Sequence, residues 1–279
     1  MRLRKHCWLF SLLALVVTPA AAAAPRRIVS LSLCADQYLL ALADPGQIVA
    51  LNRFSHDPSM SWGVVKARQF RGIRGSAEEM LVLKPDLVLT AGFGAPAALA
   101  VLRSRKVKII DLPWDDRFES IERTTRLVAE AIGHRARGEA LIASMRKRLS
   151  AVGTPPGRGR IAAYYQRRGY LTGQGSLVDE MMRRAGLVNL ARKLDRPMLP
   201  SRMSIEQMAM ARPNFLIVDN GGRIRDKGTE MLEHPLLRQA IPDSHRINIP
   251  EAMTTCGGPS YPDAMEVLLA GIRHADGKR

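Results

Sequence analysis

Two cysteines, Cys34 and Cys256, stand near opposite ends of the chain, and a third, Cys7, lies in its first dozen residues. A cysteine becomes a nucleophile when a base sits beside it, and here Cys256 with His56 or His245 is the pair to weigh. Nothing around them supports catalysis. The chain has no nucleophile elbow, Walker loop or metalloprotease motif, and Gly173-Gln174-Gly175 lacks the third glycine of a dinucleotide loop. His134, His234, His245 and His274 show no zinc-ligand spacing. His56 follows a predicted strand, where it is either an axial ligand to a bound metal centre or an ordinary loop histidine. No metal site of the protein's own is expected, and the residue types suit binding better than turnover.

The elements that must position these residues alternate. Strand-like runs at 27–31, 47–51, 87–90 and 107–112 are interleaved with helix-like runs at 34–43, 78–83 and 95–103, which predicts a mostly parallel sheet with helices on its faces. From Phe118 to Ser150 only helical spacing remains, through Ile121, Val128, Leu141, Ile142, Met145 and Leu149, with Gly133 as a divider. The second helix, about 134–150, is roughly 25 Å long at 1.5 Å per residue. A Gly/Pro-rich stretch at 153–159 ends it. Strands at 160–165, 215–219 and 246–249 and helices at 177–185 and 263–274 follow. The expected domains are a segment 1–24, an N-terminal α/β lobe at 25–132, a backbone helix and linker at 133–157, and a C-terminal α/β lobe at 158–279.

Segment 1–24 has the anatomy of a secretory signal peptide. Arg2, Arg4 and Lys5 precede an apolar run from Cys7 to Val17, Thr18-Pro19 breaks it, and Ala20 to Ala24 supplies cleavage sites. The run is too short to span a bilayer. The expected location is therefore outside the cytoplasm. Export changes how the charge is read. The whole chain holds 42 Lys+Arg against 26 Asp+Glu, a net +16, which alone suggests nucleic acid. Removing the leader's three basic residues leaves +13, and an exported chain does not normally meet nucleic acid. Anionic ligands, an anionic surface or solubility remain as reasons. Export also places Cys34 and Cys256 where thiols can pair.

An internal repeat points to two similar lobes. Ser76, Glu78, Met80 and Pro85 recur as Ser204, Glu206, Met208 and Pro213, all at an offset of 128. Each copy is a capped helix, a Pro-containing turn and an apolar strand.

The ordered set Arg27-Ile28-Val29-Ser30-Leu31-Ser32, Leu83-Lys84-Pro85-Asp86-Leu87-Val88, Gly175-Ser176-Leu177-Val178-Asp179 and Thr255-Cys256-Gly257-Gly258-Pro259 resembles class III periplasmic substrate-binding proteins. These are the helical-backbone components of ABC importers for cobalamin, ferric siderophores or haem. The resemblance covers essentially the whole mature chain. It implies two Rossmann-like lobes joined by a single long helix, with the ligand in the cleft between them and little hinge motion. It implies capture of a metal chelate and delivery to the importer's permease and ATPase subunits by a monomer. No intrinsic cofactor is needed, since the ligand itself carries iron or cobalt. A ligand-presenting sensor or cofactor chaperone on the same fold is the alternative.

Ligands of open α/β sheets sit at the carboxyl ends of the strands. That rule nominates Cys34, Arg53, Phe54, His56, Phe93 and Trp114 in the first lobe. It nominates Tyr165, Arg167, Tyr170, Asn220, Thr255, Cys256 and Tyr261 in the second. Aromatics offer faces to a corrin, porphyrin or catecholate, and arginines pair with carboxylate or phosphate. The many arginines favour an anionic chelate. Cys34 and Cys256 both fall on cleft-side loops, where they form a disulfide across the mouth, contact the bound metal centre or stay free. By the resemblance, Glu78 and Glu206 match the acids that dock one on each side of the importer, with Glu79 a neighbouring candidate for the first.

Overall fold

The computed structural model describes residues 23–92, 95–151, 153–196, 201–219 and 228–277. The leader, Phe93 and Asn220 lie outside the described residues.

The first lobe is a five-stranded, wholly parallel sheet. Its strands are β1 (Ile28–Ser30), β2 (Ile48–Asn52), β3 (Arg71–Ile73), β4 (Leu87–Ala91) and β5 (Lys108–Leu112), in the order β3-β2-β1-β4-β5. The helices α1 (Leu33–Leu42), α2 (Val64–Ala67), α3 (Ala77–Leu83) and α4 (Pro96–Ser104) connect them. Val88 with Met80 and Leu102 belongs to the core on one face, and Leu87 and Leu89 with Leu39 to the core on the other. Such two-sided burial explains the near-continuous apolar runs of these strands.

The second lobe holds β6 (Ile161–Gln166), β7 (Tyr170–Leu171), β8 (Val188–Asn189), β9 (Ser201–Arg202), β10 (Phe215–Val218) and β11 (Arg246–Asn248). β11, β10, β6 and β8 run parallel, while β7 and β9 add an antiparallel extension beside the end of β6. Its helices are α7 (Leu177–Arg184), α8 (Leu190–Lys193), α9 (Ile205–Ala211), α10 (Pro235–Ala240), α11 (Glu251–Thr254) and α12 (Tyr261–Gly277).

The repeat at offset 128 is visible in the backbone. Ser76 and Ser204 each accept the N–H three residues on, and the side chains of Glu79 and Gln207 reach back to the cap N–H, so α3 and α9 begin with matching capping boxes. Both helices end on a left-handed residue, Lys84 at φ 44° and Arg212 at φ 40°, before the Pro turn.

Between the lobes lie two helices, α5 (Phe118–Ala131) and α6 (Arg135–Ser150), separated by Gly133 at φ 85°. α6 is the long helix of the connection, and α5 lies antiparallel against it. Arg126 pairs with Glu139 at 2.8 Å, and Arg146 grips Glu122 with two bonds of 2.5 and 2.6 Å. Residues along this bar feed both cores. Val128, Ala129 and Ile132 enter the first-lobe core, whereas Phe118, Ile121, Ile142 and Met145 enter the second. The chain boundary at 132 therefore does not coincide with a boundary between cores. A Cβ on Gly138 would lie 2.5 Å from that of Ala129, so the two helices touch backbone to backbone there.

Asp36, in the first turn of α1, is buried and accepts the N–H of Asn52 at 3.3 Å, tying α1 to the end of β2. Burial pushes its carboxyl up to about 8, against the opposing pull of hydrogen bonds from Ser30 and Asn52.

Two outcomes follow for stability. Gly138→Leu is expected to overpack the α5–α6 contact and destabilise the fold by about 1–3 kcal/mol, measured by chemical unfolding. Asp36 has a folded pKa above its unfolded one, so between 3.8 and about 8 the folded chain keeps a proton that the unfolded chain has lost. Its contribution to stability is present at low pH and is lost as pH rises through that window. Asp36→Asn is expected to raise Tm at pH 8.5 while changing it little at pH 4, as read by calorimetry.

Candidate functional site

In the first sheet the strand order switches sides between the parallel neighbours β1 and β4, and the carboxyl ends of these strands lead into the first turn of α1 and the loop before α4. In the second sheet the carboxyl ends of β6, β10 and β11 lead to Arg167, Asp219 and α11. A set of bonds brings these two edges together. Cys34 and Cys256 form a disulfide with Cα atoms 5.3 Å apart. The Tyr38 hydroxyl donates to the Gly257 carbonyl at 3.1 Å, and the Gly257 N–H donates to Asp116 Oδ1 at 3.2 Å. Trp62 Nε1 donates to Asp263 Oδ2 at 2.6 Å, and Arg148 of α6 holds the other oxygen of Asp263. Asp116 belongs to the segment that passes from one lobe to the other. The disulfide therefore lies at the closed, hinge side of the cleft rather than across its mouth, and neither sulfur is a free thiol that could ligate a metal centre.

Beside this seam is a hollow of about 230 Å³ in which Asp116 and Glu251 face Tyr164, Gln166, Ser176 and Thr254. Tyr164 and Thr254 share a hydroxyl–hydroxyl bond of 3.2 Å. Thr255, named from the sequence, also lines it. Burial pushes the Asp116 carboxyl up, against the pull of the backbone N–H groups of Gly257 and Leu177. Burial, then the negative charge of Asp219, pushes Glu251 up, while Arg167 at 3.3 Å pulls it down. The Asp115 carboxyl is held at about 2 by hydrogen bonding from Arg117, with Arg123 adding its charge.

The nominated residues divide. Arg53 stacks on the ring of Phe54 at 4.6 Å, and Phe54 is exposed after β2. Trp114 is 77% exposed and leans toward Gly92. Arg167 reaches Glu251, and Tyr170 lies under Arg202 at 5.4 Å. Three others are turned inward. His56 Nε2 sits 3.0 Å from the Ala67 carbonyl, which only accepts, so that nitrogen carries the hydrogen and is not a metal ligand. Tyr165 is fully buried, its hydroxyl donating to the Met203 carbonyl at 2.7 Å. Tyr261 is fully buried against Phe118. Tyr164 and Tyr165 alternate across β6 into different cores, as strand geometry requires. That parity was the signal that Tyr164, not Tyr165, could reach the hollow. Asp116, Glu251 and Trp62 carried no comparable signal.

Residues 28–249 match a family model described as periplasmic binding protein. The chain belongs to that family. Its members and structural neighbours are binding proteins for transport rather than enzymes. No curated protein matches the sequence. A periplasmic haem-binding protein from Pseudomonas aeruginosa is 21% identical, with 89% of this chain and 92% of that one covered at a TM-score of 0.72. The periplasmic vitamin B12 binding protein of Vibrio cholerae is 20% identical, covering 90% and 98% at 0.70. An ABC-type Fe3+-hydroxamate transport system protein from Saccharomonospora viridis is 18% identical, covering 89% and 93% at 0.69. At these identities the likeness is one of fold, and it matches the two α/β lobes described above. Among the described residues no helix is long and apolar enough to cross a membrane.

Mass spectrometry without reductant is expected to find Cys34 and Cys256 joined, with neither thiol free. The double variant Cys34→Ser/Cys256→Ser is expected to lose about 2–5 kcal/mol of unfolding free energy, measured by denaturant titration.

Proposed function

We propose that this periplasmic binding protein captures a metal chelate and passes it to the permease and ATPase of an ABC importer. The chelate would be a ferric siderophore, a cobalamin-like corrinoid or haem. The leader at 1–24 would export the chain, which acts as a monomer, and iron or cobalt travels in the chelate as cargo.

The observation that carries this reading is the matched pair Glu78 and Glu206. Each is exposed in the first turn of its repeated helix. Helices that precede parallel strands begin at the strands' carboxyl edge, so both acids stand on the cleft side of their lobes. Hydrogen bonds from its own N–H and from Ser76 hold Glu78 below the usual carboxylate range, and bonds from Ser204 and its own N–H do the same for Glu206. Both stay charged. Glu79 is occupied instead, accepting the N–H groups of Gly75 and Ser76, which favours Glu78 as the docking acid. Four residues on, Val82 is 71% and Met210 82% exposed, again at an offset of 128. An acid beside an exposed apolar side chain, twice, suits a partner that presents basic and apolar groups at both lobes.

The test is the double variant Glu78→Arg/Glu206→Arg. Growth on a chelated metal as sole source is expected to fail, while chelate binding by the purified variant is unchanged. Full growth with both charges reversed would count against docking by these acids.

A further inference from the structure

Resting on the chelate reading above, we propose that the hollow at Asp116 and Glu251 receives a hydrogen-bond-donating arm of the ligand, an amide, hydroxyl or ammonium group, and disfavours a carboxylate arm. At about 230 Å³ the hollow is smaller than a typical whole-ligand pocket, which runs from roughly 300 Å³ upward. It accommodates one peripheral group, not a macrocycle.

Its lining is rich in acceptors. The two carboxyls face it together with the hydroxyls of Tyr164, Ser176 and Thr254, and no Lys or Arg is among the described lining residues. The one feature that ordinarily seats an anion, the amino end of α7, is already taken. Asp116 accepts the backbone N–H of Leu177, the first residue of that helix, as well as the N–H of Gly257. Arg167 approaches Glu251 at 3.3 and 3.4 Å without itself lining the hollow. A carboxylate arm would therefore meet two half-buried acids and no cation of the described lining, whereas a donor or a cation relieves their unfavourable desolvation. The raised carboxyls of Asp116 and Glu251 agree with this. A donor-ended arm here would run against the anionic chelate that the arginine count favours. The hollow contacts the Cys256 loop through Asp116 and Gly257, so its acceptors are held on the rigid side of the cleft.

The experiment compares paired probes at pH 7 by isothermal titration. One pair is cyanocobalamin and a derivative with one side-arm amide hydrolysed to carboxylate. The other is ferrioxamine B, which ends in an ammonium, and its succinylated form, which ends in a carboxylate. Haemin, with two carboxylates, is the fifth probe. In whichever pair binds, the donor-ended member is expected to bind at least tenfold tighter. Glu251→Gln and Asp116→Asn, each confirmed folded by its melting curve, are expected to cut that preference to about threefold or less. Equal or tighter binding of the carboxylate-ended member, or haemin as the tightest probe, overturns the inference. A preference unchanged in both variants overturns it too. If none of the five probes binds the wild-type protein, the chelate reading itself fails and the inference falls with it.

Discussion

Gly257 is where the two halves of the molecule are held in register. Its carbonyl takes the Tyr38 hydroxyl, its N–H goes to Asp116, and its neighbour Cys256 is covalently joined to Cys34. A Cβ at this position would fall 2.7 Å from Asp116 Oδ1 and 3.2 Å from Asp116 Cα, so the segments meet too closely for any side chain. Three stretches far apart in sequence depend on that approach: the first turn of α1, the crossing segment at Asp116 and the loop leading to α12. The hollow beside it inherits its rigidity, because Asp116 forms both the seam and the wall.

Much of this architecture was legible because it rests on patterns that repeat. Apolar β-branched strands buried on two faces, Pro turns after capped helices, and Ser-Glu-Met-Pro at a constant offset are all kept in the folded chain. What failed has a common physical origin. A loop residue can point either way, and sequence does not say which, so His56, Tyr165 and Tyr261 were nominated for the cleft but pack into their lobes. β7, β8 and β9 are two residues each, too short to show a period. Asp116 and Glu251 are isolated acids beside turns, and only their position against Gly257 and Arg167 gives them meaning. The cysteine pair lay between these cases. Its two positions beyond strand ends could be placed, although Cys34 lies in the first turn of α1 rather than on a loop, but bonding depends on a Cα separation that residue order does not encode.

The charge of the chain and the charge of its site point in opposite directions. A net +16 describes the field at a distance, and many arginines that produce it are already engaged, as Arg146 is by Glu122, Arg148 by Asp263 and Arg117 by Asp115. Selectivity is decided at contact range, where desolvation magnifies each group. There the described lining carries two carboxyls among hydroxyls and an amide, and no Lys or Arg. A basic body can gather anionic molecules nonspecifically while its recognition surface discriminates on a different chemical criterion.

The antiparallel pair α5 and α6 has a consequence for how the protein comes into being. Phe118 and Ile121 are made before the first lobe's own Val128, Ala129 and Ile132, yet they complete the core of the lobe translated last. Neither lobe owns a contiguous stretch of chain. The buried part of the first core ends at Ile132, just before the turn at Gly133, and the second cannot close without residues that precede that turn. The molecule looks like two domains but its two cores share one bar, so a single proteolytic cut there would damage both halves at once.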